Sequence, residues 1–107
     1  MSHISDPHFA ERVRASFELQ NAMQLIQATM PVIAHGHTEL HLPHWSGVEQ
    51  QPGFVHGGVV GMIADSAAGY AAMTMVSPAA SVLTVEYKMN LVAPADGTTD
   101  QPDPLRL

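Results

Sequence analysis

An α+β domain, with one long buried helix held against antiparallel strands, is the fold class this sequence predicts, and three observations carry that reading. Residues 57–76 run for about twenty positions with Asp65, Ser66, Tyr70 and Thr74 as their only polar members, and a helix that is apolar nearly all round is a buried one. In residues 83–93, Leu83, Val85, Tyr87, Met89, Leu91 and Ala93 share one parity, while Thr84, Glu86, Lys88 and Asn90 fall between them. That is the period-two pattern of a long strand with one buried and one wetter face. A shorter alternation, Thr38, Leu40 and Leu42 between His37, Glu39 and His41, predicts another strand, opened by Gly36 and stopped by Pro43.

The elements follow in order. Asp6-Pro7 reads as a helix start, because Asp can accept from free amides and Pro fits a first turn. Phe9, Val13 and Phe17, then Met23, Ile26 and Met30, recur at near-helical spacing up to Pro31, predicting one helix or two short ones. Pro43, Gly47, Pro52 and Gly53 mark residues 43–54 as a loop that delivers the chain to His56-Gly57-Gly58. After the strand at 83–93, Pro94 ends the pattern, and the tail with Pro102 and Pro104 is expected to be irregular. Two strands cannot wrap a helix buried on every side, so a partner chain or further strands are needed.

Composition narrows the function. The 107 residues suit one domain. Four Lys and Arg against ten Asp and Glu give a net charge of −6, the reverse of a nucleic-acid binder's footprint. With no cysteine, there is no disulfide framework, thiol nucleophile or thiolate metal site. The first residues carry acids and histidines instead of a basic and then apolar leader, so a cytoplasmic protein is expected. The 57–76 helix would be long enough to cross a bilayer, yet Asp65 at its centre would cost about 2.5 to 3.5 kcal/mol there, which favours a buried soluble helix. His35, His37, His41 and His44 invite a metal site, the first three sharing a strand parity, but no acid or cysteine completes an obvious ligand set, so no metal is expected. Met62, Met73, Met75 and Met89 read as core or pocket lining.

The stretch from Phe54 through His56-Gly57-Gly58, Gly61 and Asp65 to Tyr70, followed by Val82-Leu83-Thr84-Val85-Glu86-Tyr87-Lys88 and Ala93-Pro94-Ala95, resembles the hotdog-fold acyl-coenzyme A thioesterases of the phenylacetate-degradation (PaaI-like) type. His-Gly-Gly alone is weak evidence. Placed eight residues before an acid, and followed by an Ala- and Gly-rich helix and an alternating strand, it is much more specific. The resemblance implies a hotdog fold, a central helix wrapped by an antiparallel sheet, over residues 1–97. It implies hydrolysis of small acyl-coenzyme A thioesters, aromatic ones included, with coenzyme A as part of the substrate and no other cofactor. It also implies a homodimer or dimer of dimers with sites between protomers. Asp65 is then the catalytic carboxylate, and Gln50 stands where relatives carry a Gln or Asn that orients the thioester carbonyl or water. His56 either positions the helix start or donates to that carbonyl, and Thr84, on the polar parity of its strand, is left outside the site.

Physical chemistry supports the same spacing. Thioester hydrolysis needs a carboxylate to activate water or attack the carbonyl, and amide donors to hold the oxyanion. A helix N-terminus offers free amides and partial positive charge, which suits Gly57 and Gly58, glycine allowing close approach. Asp65 lies eight residues, or about 12 Å, further along the axis, so one carbonyl cannot touch both on one chain. Two such helices packed antiparallel would bring Gly57 of one beside Asp65 of the other. The chain departs from the family at its end. Relatives continue with three more strands where this one has the segment 98–107, expected as an irregular, non-family tail from truncation or a shifted reading frame. Arg12, Arg14, Lys88 and Arg106 are then the only cations left to meet an anionic nucleotide. Two other readings of the fold remain at this point: a non-catalytic acyl-coenzyme A binding or regulatory module, and a dehydratase using a His and an acid for proton transfer.

Overall fold

A computed structural model of the chain describes residues 6–78 and 105–107; the strand expected over 83–93 and most of the tail lie outside them. Within the described residues, helices α1 (Phe9–Glu18) and α2 (Asn21–Leu25) lead into strands β1 (Thr29–Ala34) and β2 (His37–Leu42). A short hairpin of β3 (Glu49–Gln51) and β4 (Phe54–Val55) follows, then helix α3 (Gly57–Met73) and a last strand β5 (Leu105–Arg106). One antiparallel sheet has the order β1-β2-β5, and α3 packs against β2.

The amino-terminal segment forms two short helices, one of the two alternatives its spacing allowed. Asp6 does not occupy the cap of α1, which falls at His8. Its Oδ1 accepts the His8 amide at 2.9 Å and its carbonyl accepts the Phe9 amide at 3.2 Å, so it sets the turn before the helix. Its Oδ2 takes Arg12 Nε at 2.9 Å, and Arg12 Nη2 donates to the carbonyls of Met73 and Val76 at 2.8 and 3.1 Å. Asp6 and Arg12 thus tie the first turn of α1 to the carboxyl end of α3, where a cation meets otherwise unpaired carbonyls.

Helical spacing does not continue to Met30. Gln27 adopts a left-handed φ of 64°, Ala28 N donates to Met23 O at 2.9 Å, and Gln27 N donates to Gln24 O at 3.1 Å. That pair of bonds is a Schellman motif, and it turns the chain out of α2 into β1. Met30 is buried all the same, as a strand residue flanked by exposed Thr29 and Pro31. Pro31 sits in a bulge between Thr29 and Val32, on the edge of the described sheet, where its missing N–H breaks no ladder.

Strand β2 is as its alternation predicts, with Thr38, Leu40 and Leu42 buried. Thr38 Oγ1 donates to the Ala67 carbonyl of α3 at 2.6 Å. Gly36, at φ 77°, makes the β1–β2 turn, and its amide donates to Thr74 Oγ1 at 2.7 Å. The irregular tail expected at the chain's end is corrected over its last residues. Leu105 and Arg106 pair with Leu42 and His41, and Leu40 and Leu107 exchange two backbone hydrogen bonds at 2.6 and 2.9 Å.

The core gathers Val13 and Phe17 from α1, Met23 from α2, Met30 and Leu40 from the sheet, and Ile63, Ala67 and Tyr70 from α3. Phe17 meets Tyr70 edge-on at 6.1 Å, and the Tyr70 hydroxyl accepts from Gln20 Nε2 at 2.6 Å. At 17 residues, α3 is the longest helix described, and no helix among the described residues is long and apolar enough to cross a membrane.

The Asp6 ties predict an acid limit to stability. The His8 amide and then the Arg12 guanidinium hold the Asp6 carboxyl below its ordinary value of 3.8. A carboxyl with a lower pKa folded than unfolded binds fewer protons in the folded state. Its contribution is therefore fully present above that ordinary value and is lost as pH falls through the lower folded one. Urea midpoints are expected to drop between pH 5 and about pH 3 in the parent, and to drop less in Asp6→Asn, which has no proton to take up there. Equal slopes in the two proteins would show that Asp6 is not a source of the acid sensitivity.

Candidate active site

The segment expected as a loop contains a 3-10 turn over Ser46–Val48 and the β3–β4 hairpin. Pro52 and Gly53 make the hairpin turn, Gly53 at φ 91°. Gln51 pairs with Phe54 and Glu49 with Val55, leaving Gln50 as the extra residue of a bulge, with its side chain exposed. Glu49 Oε2 accepts the Gly53 amide at 2.6 Å and pairs with His44 Nε2 at 3.0 Å. The Gly53 amide and then His44 hold the Glu49 carboxyl below its ordinary value of 4.5. Behind the hairpin, the buried Val48 accepts the His56 amide on its carbonyl at 2.8 Å, closing the loop where α3 begins.

His56 is the cap of α3. Its φ of −59° and ψ of 130° are extended, and its Nδ1 accepts the Gly58 amide at 2.8 Å. Accepting on Nδ1 requires the lone pair there, so in the capped state a neutral His56 carries its proton on Nε2. A helix start leaves four amides without intrahelical partners, and here they can be followed one by one. His56 N goes to Val48 O, Gly58 N goes to His56 Nδ1, and Val59 N bends to His56 O at 2.9 Å. Gly57 alone of the four donates to nothing among the described residues. Of the two glycines matched to an oxyanion role, only Gly57 therefore has its amide open. Gly58 serves another purpose, since a Cβ there would stand 3.0 Å from His56 Nδ1. Its bare backbone makes room for the capping imidazole.

Asp65 lies two turns along α3. At about 100° per residue, Ile63, Ala67, Tyr70 and Thr74 cluster on one side of the helix, and all four are buried. Asp65 falls on the opposite side with Gly58, Ala68 and Ala72, which are exposed, and it is itself half-buried. A Cβ built at Gly69, one turn beyond Asp65, would meet nothing within 4 Å. The helix that its composition predicts to be buried all round is thus covered on one side by the described core and lined with small residues around its acid on the other.

The histidines suggested by strand parity do not assemble. His41 pairs with Glu39, His44 pairs with Glu49, and His35 stacks edge-on to Phe9 at 5.9 Å. Among the described residues, no three His, Cys, Asp or Glu side chains converge as a metal set. Of the cations considered for nucleotide binding, Arg12 is engaged with Asp6 and the end of α3. Glu49 was absent from the residues singled out in the sequence, and His44 entered only with the histidines weighed as a metal set. The only trace of their pairing there is an acid directly before Gln50 and a histidine five residues earlier.

The arrangement is a helix with an amide at its positive end that has no partner among the described residues, and a half-buried carboxylate two turns along the side opposite the described core. Residues 52–98 match the thioesterase superfamily, and the fold is the hotdog α+β fold of that superfamily, an antiparallel sheet packed on a long helix. The chain is similar to a thioesterase family protein from Silicibacter pomeroyi, with 42% identity and a TM-score of 0.80, over 83% of this chain and 65% of that one. A protein from Pseudomonas aeruginosa shares the fold at 22% identity and a TM-score of 0.67, over 82% of this chain and 67% of that one. No curated protein matches the chain significantly. The chain spans a little under two thirds of the length of the Silicibacter protein.

Proposed function

We propose that this protein hydrolyses small acyl-coenzyme A thioesters, arylacyl ones included as in PaaI-like thioesterases, at sites shared between two copies of the chain. Asp65 activates water or attacks the thioester carbon, and the Gly57 amide of the second copy receives the oxyanion. Gln50 and His56 Nε2–H approach the thioester carbonyl from the hairpin side. The observation that carries the reading is the open amide of Gly57, the one left over when the other three at the start of α3 are satisfied. Eight residues separate it from Asp65, about 12 Å along a helix, so a single carbonyl reaches both only when a second helix lies alongside. The residues around Asp65 are small, and among the described residues nothing stands within 4 Å of a Cβ built at Gly69, which supports that approach.

A dehydratase would need a histidine able to take up a proton. The lone-pair nitrogen of His56 is instead committed to the Gly58 amide, which favours hydrolysis. The test is release of coenzyme A from a panel of acetyl, short aliphatic, arylacetyl and long-chain thioesters, followed with a thiol-reactive dye. Because the protein has no cysteine, the dye reports released coenzyme A alone. Hydrolysis of arylacetyl and short acyl substrates is expected at kcat/KM above about 10⁴ M⁻¹s⁻¹, the low end of the usual enzyme range. Saturable binding with no release from any thioester would replace this reading with a non-catalytic acyl-coenzyme A module.

A further inference from the structure

Resting on the thioesterase reading above, we infer that Glu49, seated against His44, is a positioning residue of the site. It fixes the β3–β4 hairpin, and through it both Gln50 and the Gly57 end of α3. The hairpin cannot hold itself. Its strands have three and two residues, and an isolated two-stranded hairpin is marginal even when longer. Its turn places Pro before a left-handed Gly, the order of a type II turn, whose twist splays hairpin strands where the primed types match them. The bulge at Gln50 removes a further ladder bond.

Against these deficits stand two ties. At the open end, Val48 O takes the His56 amide at 2.8 Å. At the turn, Glu49 Oε2 takes the Gly53 amide at 2.6 Å while His44 Nε2 holds the same oxygen at 3.0 Å. Both side chains of the pair are 18% exposed, so the carboxylate is sheltered enough for its bonds to matter. Glu49 therefore closes the turn across the residue that presents Gln50. The chain it steadies runs directly into His56, whose backbone angles and Nδ1 bond set the first turn of α3. Without the carboxylate, Gln50 and the Gly57 amide keep their chemistry and lose their placement. A displacement near 1 Å is enough to cost about 10²-fold in rate.

Glu49→Ala and Glu49→Gln separate placement from simple stability, since the Gln carbonyl can still accept the Gly53 amide. In Glu49→Ala, kcat is expected to fall about 10- to 100-fold with KM changed less than about threefold, because misplaced oxyanion contacts act on the transition state. In Glu49→Gln, kcat is expected to return to within about threefold of the parent. Amide hydrogen exchange at Gly53 and His56 is expected to quicken about tenfold in Glu49→Ala alone, with the Leu40–Leu107 pair unchanged, as a local opening would give. Unchanged kcat in Glu49→Ala, or equal losses in both variants with matching losses of melting temperature, would overturn the inference. A parent that hydrolyses no thioester would remove the thioesterase reading and leave exchange to decide the role of Glu49, with unchanged exchange at Gly53 and His56 overturning it. If Glu49→Ala does not fold, His44→Ala carries the same comparison with a smaller expected loss of about threefold; no loss and no exchange change there would overturn it equally.

Discussion

Asp65→Asn is expected to lower kcat for thioester hydrolysis by about 10²- to 10⁴-fold, the range that a positioned acid–base group contributes, while the fold and the proposed dimer persist. Asn keeps the size and the hydrogen-bonding capacity of the side chain but cannot take a proton from water or form an acyl anhydride. The fold is expected to survive because the buried side of α3, with Ile63, Ala67 and Tyr70, faces away from Asp65. The Thr38 bond to Ala67 O and the Gln20 bond to Tyr70 also lie on that side. Circular dichroism and light scattering identical to the parent, with kcat lost, is the expected pair of results. A kcat within a few-fold of the parent would remove Asp65 from the chemistry and the mechanism with it.

The second large effect is complementation between two inactive chains. Gly57→Pro deletes the N–H and adds a ring on a backbone that accepts it. Proline is favoured at the first helical position, and the residue before it must be extended, as His56 already is at φ −59° and ψ 130°. If the Gly57 amide holds the oxyanion, Gly57→Pro is expected to lose about 10²- to 10³-fold in kcat, as removal of one oxyanion donor does elsewhere. Mixed with Asp65→Asn and allowed to exchange subunits, it should regain activity. In a mixed dimer, one site combines Asp65 from the Gly57→Pro chain with Gly57 from the Asp65→Asn chain, and the other site lacks both groups. Random pairing of equal amounts then restores about a quarter of the parental sites. Activity that stays at the level of the separate variants after exchange, with mixed dimers verified by mass, would place both groups on one chain and end the shared-site geometry.

How much of this was legible beforehand depended on how far each signal reached along the chain. Strand β2 and helix α3 could be read directly, because each repeats its pattern through enough residues to exclude the other period; the buried positions of β2 are those its pattern names, whereas the composition of α3 did not say which of its sides the core would cover. Strand β1 was hidden. Met30 satisfies a helical spacing from Met23 and Ile26 and equally a strand's alternation, and the choice fell to Gln27 accepting a left-handed φ that its residue type does not advertise. The β3–β4 hairpin is too short for any periodicity. Of the site, His56, Gly57, Gly58 and Asp65 stood out as a spaced motif, yet only geometry divided the two glycines, giving one amide to the capping imidazole and leaving the other open.

The sequence by itself determined the period and the chemistry: an apolar helix carrying one acid, a glycine-rich helix start behind a histidine, an alternating strand, the absence of thiols and a net negative charge. Tertiary structure alone decided the pairings between residues distant along the chain. Arg12 reaches Met73 O across 61 positions, and Gln20 reaches Tyr70 across 50. Glu49, only five positions from His44, gains its role because the chain folds back at Gly53. The physical reason is that periodicity is a property of neighbours and survives in any window of sequence, whereas a hydrogen bond is specified by the position of both partners to a few tenths of an ångström, and that position exists only once the chain is packed.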